Sequence, residues 1–506
     1  MKKIIVLFIG VISMSNLYAQ DISDAVRYSQ DEVQGSARFR ALSGAFGALG
    51  GDLSAVSINP AGSAIFNRSY ASFTISHNDI QNDAFFNINE VNASSDSKFD
   101  MSQAGGVFVF NNRDANSPWK KLTLGIAYDK TGNFDNNWYA EGINSRSVAN
   151  YFLDFAQGKR LADISALGNE TLEEAYTDIG SAFGYGHQQA FLGFESFIIE
   201  PDENSDDNTS YFSNVAGSQF DQAYTYASRG YNGKISFNIA SQYKEKLYLG
   251  LNLNSHFLNF ERSTFLNEFN TNSNSIVTDI DFDNNLQTIG TGFSFQLGAI
   301  LKLTKELRAG VTYQSPTWYR ITDETFQSIG TIIEDGNGTQ SVLIQPNIIN
   351  LFPDYTLQTP GKITGSLAYV FSDEGLLSFD YSRKDYGNAQ FKPTSDGFFA
   401  SQNTIIENQL KAANTYRIGG EYRFDRLSLR GGYRFEESPY VDEDFYGNLT
   451  GYSLGLGYSL GSFKMDLTYD RFDRDEGNAL YATGDLNPAT VQNQNSTVTF
   501  TLGFSL

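Results

Sequence analysis

From Tyr70 to Leu506 apolar and polar residues alternate with period two, segment after segment. In the last segment Val498, Phe500, Leu502, Phe504 and Leu506 share one face, while Thr497, Thr499, Thr501, Gly503 and Ser505 share the other. In residues 449–460 Tyr452, Leu454, Leu456, Tyr458 and Leu460 alternate with Gly451, Ser453, Gly455, Gly457 and Ser459. Residues 463–471 set Phe463, Met465, Leu467 and Tyr469 against Lys464, Asp466, Thr468 and Asp470. This period predicts strands, because successive side chains of an extended chain point to opposite faces. Fourteen such segments occur, at 70–78, 101–111, 120–129, 231–243, 246–260, 288–303, 306–318, 360–371, 374–385, 411–424, 426–436, 449–460, 463–471 and 495–506.

A soluble sandwich also alternates, so the connections and face chemistry decide the class. Short turns such as Asp425-Arg426 and Gly461-Ser462 alternate with long links at 79–100, 130–230, 261–287, 319–359, 386–410, 437–448 and 472–494. Apolar faces carry Tyr near the strand ends, as at Tyr452 and Tyr458, and the opposite faces are small or charged. The pattern predicts an all-β fold: a 14-stranded antiparallel transmembrane β-barrel, with short periplasmic turns, long outer loops and a lipid-facing belt. The 130–230 link is too long for a simple loop. Within it 146–168 reads as an amphipathic helix, with Val148, Tyr151, Phe152 and Phe155 on one stripe, and 172–179 as a second. An apolar cluster, Phe191, Phe194 and Phe197 with Ile198 and Ile199, follows; it either caps the barrel or collects a hydrophobic ligand.

Ahead of the strands, residues 20–69 are dense in Gly, Ala and Ser and have too few bulky side chains for a core of their own. Small residues let backbone approach a surface supplied by something else, which predicts a plug inside the barrel of residues 70–506. Its polar candidates are Arg38, Arg40 and Asp52, and it closes on the turn Asn59-Pro60-Ala61-Gly62, where Pro60 sets φ and Gly62 relaxes the chain as the end of a gate. Residues 1–19 read as a secretory signal, with Lys2 and Lys3 before the apolar run Ile4–Ile12 and cleavage after Ala19.

Composition narrows the function. The 506 residues carry a formal charge of −22 and no Cys. Such an acidic chain is not a nucleic-acid binder, and disulfides, thiolate nucleophiles and Cys-ligated metals are excluded. The three His, at 77, 187 and 256, lie far apart without metal-ligand spacing, and no nucleophile elbow occurs. The reading is therefore not an enzyme, with no catalytic residue, cofactor or metal. The mean hydropathy of −0.33 is that of a soluble chain, yet also that of a barrel in which only alternate residues meet lipid.

A plug bearing Gly50-Gly51-Asp52-Leu53-Ser54 and Asn59-Pro60-Ala61, directly ahead of fourteen strands, resembles the FadL/TodX outer-membrane transporters of hydrophobic compounds. The stretch from Arg38 to Asp52 is similar to the form found in Bacteroidetes-type members, although the chain ends in Leu506 where outer-membrane barrels commonly end in Phe. The resemblance implies passive uptake of hydrophobic small molecules such as long-chain fatty acids. Ligand would be captured by outer loops, released past the plug and passed sideways through a gap beside the third strand, near the Asn59-Pro60-Ala61 segment. Thr131-Gly132-Asn133 is where pairing would break.

Extending the alternation inward aims Arg417, Glu421, Arg423, Arg430, Arg434, Lys464, Asp466 and Asp470 at the lumen, joined by Arg308, Lys362 and Asp380. A guanidinium fork matches a carboxylate, so Arg417, Arg423, Arg430 and Arg434 are candidates for an acidic lipid head group, with Phe191, Phe194 and Phe197 for its tail. The bland alternative pairs these charges with one another and with the plug. Expected partners are outer-membrane lipid, lipopolysaccharide and a hydrophobic ligand, with the chain a monomer. A second reading is a FadL-like adaptor barrel of a type IX protein secretion system, which would bind proteins instead of lipids.

Overall fold

The computed structural model describes residues 21–506 apart from 87–90, 115, 273, 336, 337, 373 and 485; the signal assigned to 1–19 lies outside the described residues. Fourteen antiparallel strands close on themselves. They are β1 (Tyr70–Phe85), β2 (Asn92–Asn111), β3 (Trp119–Asn133), β4 (Phe220–Tyr243), β5 (Leu247–Phe269) and β6 (Val277–Lys302). Next come β7 (Leu307–Gln314, resuming as Trp318–Asp335), β8 (Tyr355–Gln358, resuming as Lys362–Phe371) and β9 (Gly375–Asp385). The ring ends with β10 (Ala412–Phe424), β11 (Leu427–Glu436), β12 (Leu449–Ser459), β13 (Phe463–Asn478) and β14 (Ala489–Ser505). Sequential neighbours pair, and β14 closes onto β1 from Tyr70↔Ser505 to Phe85↔Thr490.

The alternation sorts as a lipid-embedded barrel requires. On β12 Tyr452, Leu454, Leu456 and Tyr458 are exposed, while Ser453 is buried. The same outward belt continues through Leu367, Ile418, Leu429 and Leu467. Inside, Thr499, Thr501, Ser366, Asp380, Arg430 and Asp466 are buried. A polar residue is tolerated there because the plug and facing strands supply hydrogen bonds that lipid lacks.

Several strands outrun their predicted length. β4, β5 and β6 begin or end about ten residues beyond the alternating segments, and a further strand, Asn136–Asn144, extends β3 against β4. Above the lipid belt the outward face no longer meets lipid and the inward face packs apolar residues such as Leu266, Phe282 and Ile329 on the cap, so the lipid-out, polar-in period fades while the backbone ladder persists. The predicted helix at 146–168 shrinks to α3 (Ala149–Ala156), ended before Gly158, whose φ is +80°. The second is α4 (Leu172–Phe183), opened by a capping box between Thr171 and Glu174. Two helices had no sequence signal: α5 (Tyr185–Glu195) and α6 (Gly397–Gln409).

Phe191 is fully buried and Phe194 partly so, in a core formed by α3, α4, α5 and the outer ends of β5, β6 and β7; Phe197 is exposed. The insertion is therefore a packed cap. Its Phe trio does not line one groove, because α5 turns Phe191 into the core.

Candidate functional site

The plug is built from short turns because Gly and Ser deny it longer helices. Its elements are α1 (Ile22–Arg27), α2 (Ala37–Ala41) and two 3-10 turns, Ser54–Ser57 and Pro60–Ile65. From Ser36 to Ile65 it is locked to the wall. The Ser36 hydroxyl caps α2 by accepting from Phe39 N (3.2 Å). Arg38 Nε then donates to Glu421 (2.8 Å), and Arg40 grips Asp470 through Nε and Nη2, both 2.8 Å. Glu421 also accepts from Arg423 Nε (2.7 Å) and Arg430 Nε (2.6 Å), and Arg430 reaches on to Asp466 (2.5 Å). Asp380 receives the backbone N–H groups of Phe46 (3.0 Å) and Gly47 (2.9 Å). Asp52 has a different role from the expected wall partner: it takes Ser36 Oγ (2.8 Å) and Ser54 N (2.9 Å) and so binds the plug to itself.

The close approach predicted from the plug's small residues depends equally on the wall. A Cβ added at Gly419 of β10 would stand 2.6 Å from Leu42 Cβ, and one at Gly432 of β11 would stand 2.6 Å from the Leu42 carbonyl carbon. At Gly455 of β12 it would meet Ala41 Cβ at 2.5 Å. Three adjacent strands therefore present bare backbone to α2.

The Asn59-Pro60-Ala61-Gly62 motif, expected as the end of a gate, caps the 3-10 turn Pro60–Ile65. Asn59 Oδ1 accepts from Ala61 N (3.1 Å), its Nδ2 donates to Gly47 O (2.7 Å) and Ala299 O (3.1 Å), and all four residues are buried. Asn59 faces β6. Its neighbour Ser57 reaches β3, donating to Asp129 (2.5 Å).

From Ile22 to Gln34 the plug is held differently. β2 and β3 pair from Asn111↔Lys121 up to Gln103↔Asp129, and among the described residues no rung joins them above that point. The register of β3 against β4 slips between Lys130 and Gly132, where the sequence marked an interruption. The chain then turns so that Asn82 of β1 donates to Asn137 O (2.6 Å). The parted edges form a seam bridged by Lys130–Asp100 (2.5 Å) and Lys98–Asp135 (3.2 Å). Phe134, at the turn, packs edge-on against Tyr28 of the plug and Phe260 of β5, with centroids 6.0 and 5.6 Å away. Glu32 N donates to Thr131 O (3.0 Å), and Asn133 N returns a bond to Glu32 Oε1 (3.0 Å). Tyr28 and Glu32, missed at the sequence level, are thus the plug residues on the open part of β3.

Between α1, the seam and the inner wall lies a cavity of about 360 Å³. Its lining mixes the apolar Ile22, Phe134, Trp138 and Phe260 with the basic Arg27, Arg262, Lys362, Lys384, Arg417, Arg434 and Arg474, and Arg27 lies over the Phe260 ring at 4.3 Å. Acidic residues, Asp31 and Glu436 among them, line it too. The Nε atoms of Arg262, Arg417 and Arg474 are buried with no hydrogen-bond partner among the described residues. Burial disfavours the Asp31 carboxylate, yet Lys362 and Lys384 together hold its pKa well below the usual range. Of the four Arg picked out by alternation, Arg417 and Arg434 reach this cavity and share Glu436 at 3.4 and 3.6 Å. Arg423 and Arg430 instead sit in the Glu421 network below it. His256, also aimed inward as expected, bonds Ser294 (2.7 Å). Among the described residues no group of His, Asp or Glu is placed to hold a metal ion.

Residues 204–504 match the family model described as outer membrane protein transport protein (OMPP1/FadL/TodX). The chain belongs to this family. Family members are outer-membrane β-barrel channels for hydrophobic compounds, not enzymes, and the closed fourteen-strand ring is their architecture. A Pseudomonas aeruginosa FadL homologue shares the fold at TM-score 0.55 and 11% identity, covering 94% of this chain and 99% of its own. The P. putida toluene transporter TodX does so at 0.51 and 11%, with the same coverage. No curated protein matches the sequence.

Proposed function

We propose that this FadL/TodX barrel takes up amphiphilic hydrophobic molecules, long-chain fatty acids among them, by way of the cavity above the plug and the seam beside β3. The observation that carries this reading is that one cavity collects apolar and basic side chains together. Ile22, Phe134, Trp138 and Phe260 line it alongside Arg262, Arg417 and Arg474, whose Nε atoms are buried without a partner among the described residues. An acid with an apolar tail matches both kinds of lining. The volume falls in the range of about 300–1,000 Å³ usual for small-molecule sites. Arg417 and Arg434 are the proposed head-group contacts from the wall. Arg423, Arg430 and the Phe191, Phe194 and Phe197 cluster support the reading less, since the first two are paired and the cluster belongs to the cap.

Extraction of the barrel in mild detergent, followed by mass spectrometry of co-purified small molecules, tests this. Stoichiometric fatty acid or another amphiphile, reduced in Arg417→Met, is the expected result. An empty lumen with co-purified secretion proteins would replace it with the adaptor reading.

A further inference from the structure

We propose that one arc of the barrel's short-turn end is a binding site for anionic phospholipids of the membrane leaflet it meets. The arc comprises three turns: 112–118 between β2 and β3, 244–246 between β4 and β5, and 303–306 between β6 and β7. Backbone bonds hold them side by side. Lys244 N donates to Pro118 O (2.6 Å), and Lys302 N donates to Lys246 O (2.8 Å). Residues 112–121, 244–246 and 302–308 together hold eight Lys or Arg against three Asp or Glu, a local reversal of sign in a chain of formal charge −22. Arg113, Lys244, Lys246 and Lys305 are exposed there. The three acids are turned into their own turns. Asp114 accepts from Asn116 N (2.9 Å), Glu245 from the Gln242 amide (3.4 Å) and Glu306 from the Thr304 hydroxyl (3.0 Å). Among the described residues no ion pair joins Lys244, Lys246 or Lys305 to a carboxylate. The other half of the ring lacks this excess: its turns carry Asp373 with Glu374, the balanced Asp425-Arg426, and the uncharged Gly461-Ser462.

What the charges border decides the partner. Trp119 and Tyr243 are paired across β3 and β4 with ring centroids 5.1 Å apart, and Lys244 Nζ lies 5.5 Å from the Tyr243 ring centre. Leu122, Leu301 and Leu303 are exposed beside them on the outward face. Aromatic side chains of a barrel mark the depth at which acyl chains give way to head groups. The ammonium groups therefore stand at the plane of the lipid phosphates, with apolar surface for the chains directly below. An anionic phospholipid uses both features, whereas a soluble acidic protein would leave the apolar margin unused. A zwitterionic head group brings its own ammonium, which the lysines repel. Each Lys near such a surface is worth roughly a fivefold gain in binding an anionic lipid. The inference is independent of the uptake reading, since this arc lies at the opposite end of the barrel from the cavity.

Native mass spectrometry of the full barrel, titrated in detergent with phosphatidylglycerol or phosphatidylcholine, tests it. Phosphatidylglycerol should be retained in preference, and added salt should weaken that preference. Lys244→Gln with Lys246→Gln and Lys305→Gln should lower phosphatidylglycerol affinity on the order of a hundredfold at low salt and leave phosphatidylcholine unchanged. Arg426→Gln, on the other half of the rim, should keep the preference. If the triple variant does not run as a folded band, Lys246→Gln and Lys305→Gln singly decide, each with a loss of about fivefold. Equal retention of the two lipids overturns the proposal, as does an undiminished preference in the lysine variants or an equal loss in Arg426→Gln. A decaglutamate peptide that binds the parent, fails on the triple variant and is not displaced by phosphatidylglycerol also overturns it, assigning the arc to a protein instead.

Discussion

The two ends of the plug touch the same barrel by opposite means. Below, Ser36 to Ile65 meets glycine-lined strands and ion pairs that join Arg38 and Arg430 to Glu421, Arg40 to Asp470 and Arg430 to Asp466, and α2 lies directly on backbone. Above, Ile22 to Gln34 meets a cavity, an unpaired pair of strand edges and lysines that outnumber the carboxylate they share. The lower contact resembles a protein core, dense and bistable only at high cost. The upper one packs Ala25, Val26 and Tyr28 into an apolar core with Phe134 and Phe260 and borders the cavity beside it. The difference teaches that the plug does not meet the barrel as one unit. Its lower half lies on glycine-lined backbone, and its upper half is held by side chains around a space.

The comparison can be broken most severely at Glu421. Glu421→Ala would strand the largely buried Arg38 and leave Arg430 with Asp466 alone, and losing one partner of a buried pair costs about 3–5 kcal/mol. The expected outcome is a large fall in the temperature at which the folded band disappears from unheated gels; an unchanged band would mean the anchor is not in the network. Next in size is Gly419→Val, where the new side chain meets Leu42 and overpacking costs about 1–3 kcal/mol. It should lift the plug and raise ion conductance in planar bilayers while the barrel survives. Asn59→Ala removes a cap with two further bonds and should cost about 1 kcal/mol, read as a modest shift in the same gel transition. At the upper end, Lys98→Met with Asp100→Asn opens both seam pairs and leaves their buried members, Asp135 and Lys130, without an ionic partner, which costs stability as at Glu421. Uptake of the proposed amphiphile should then rise a few-fold among barrels that still run as a folded band; a fall would mean the pairs hold the exit in shape. Phe197→Ser, on an exposed cap position, should change stability by less than about 0.5 kcal/mol and leave uptake intact.

The strands inside the lipid belt were legible because membrane and lumen impose opposite chemistry on alternate residues, so the period alone assigns Tyr452, Leu454, Leu456 and Tyr458 outward. Lumen-facing charges were legible for the same reason, including Glu421, Arg430 and Asp466. Strand ends above the belt were not, since the lipid no longer dictates the outward face and the inward face packs on the cap. The helix α5 was hidden because Gly186 and Gly193 interrupt its pattern and Phe191 is buried by partners far away in the chain. Glu32 and Asp31 gave no signal, being two acidic residues in a chain full of them.

The sequence alone determined a plug, fourteen strands and the face each alternating residue takes, because those follow from local period and from the solvent on either side. Which charges meet was decided only by closing the ring, which brings β10 to β13 onto α2 and β8 and β9 onto Asp31. The seam belongs to the same category. Thr131-Gly132-Asn133 permits a break, but its place beside the cavity, with Glu32 holding it, depends on contacts about a hundred residues apart in the chain.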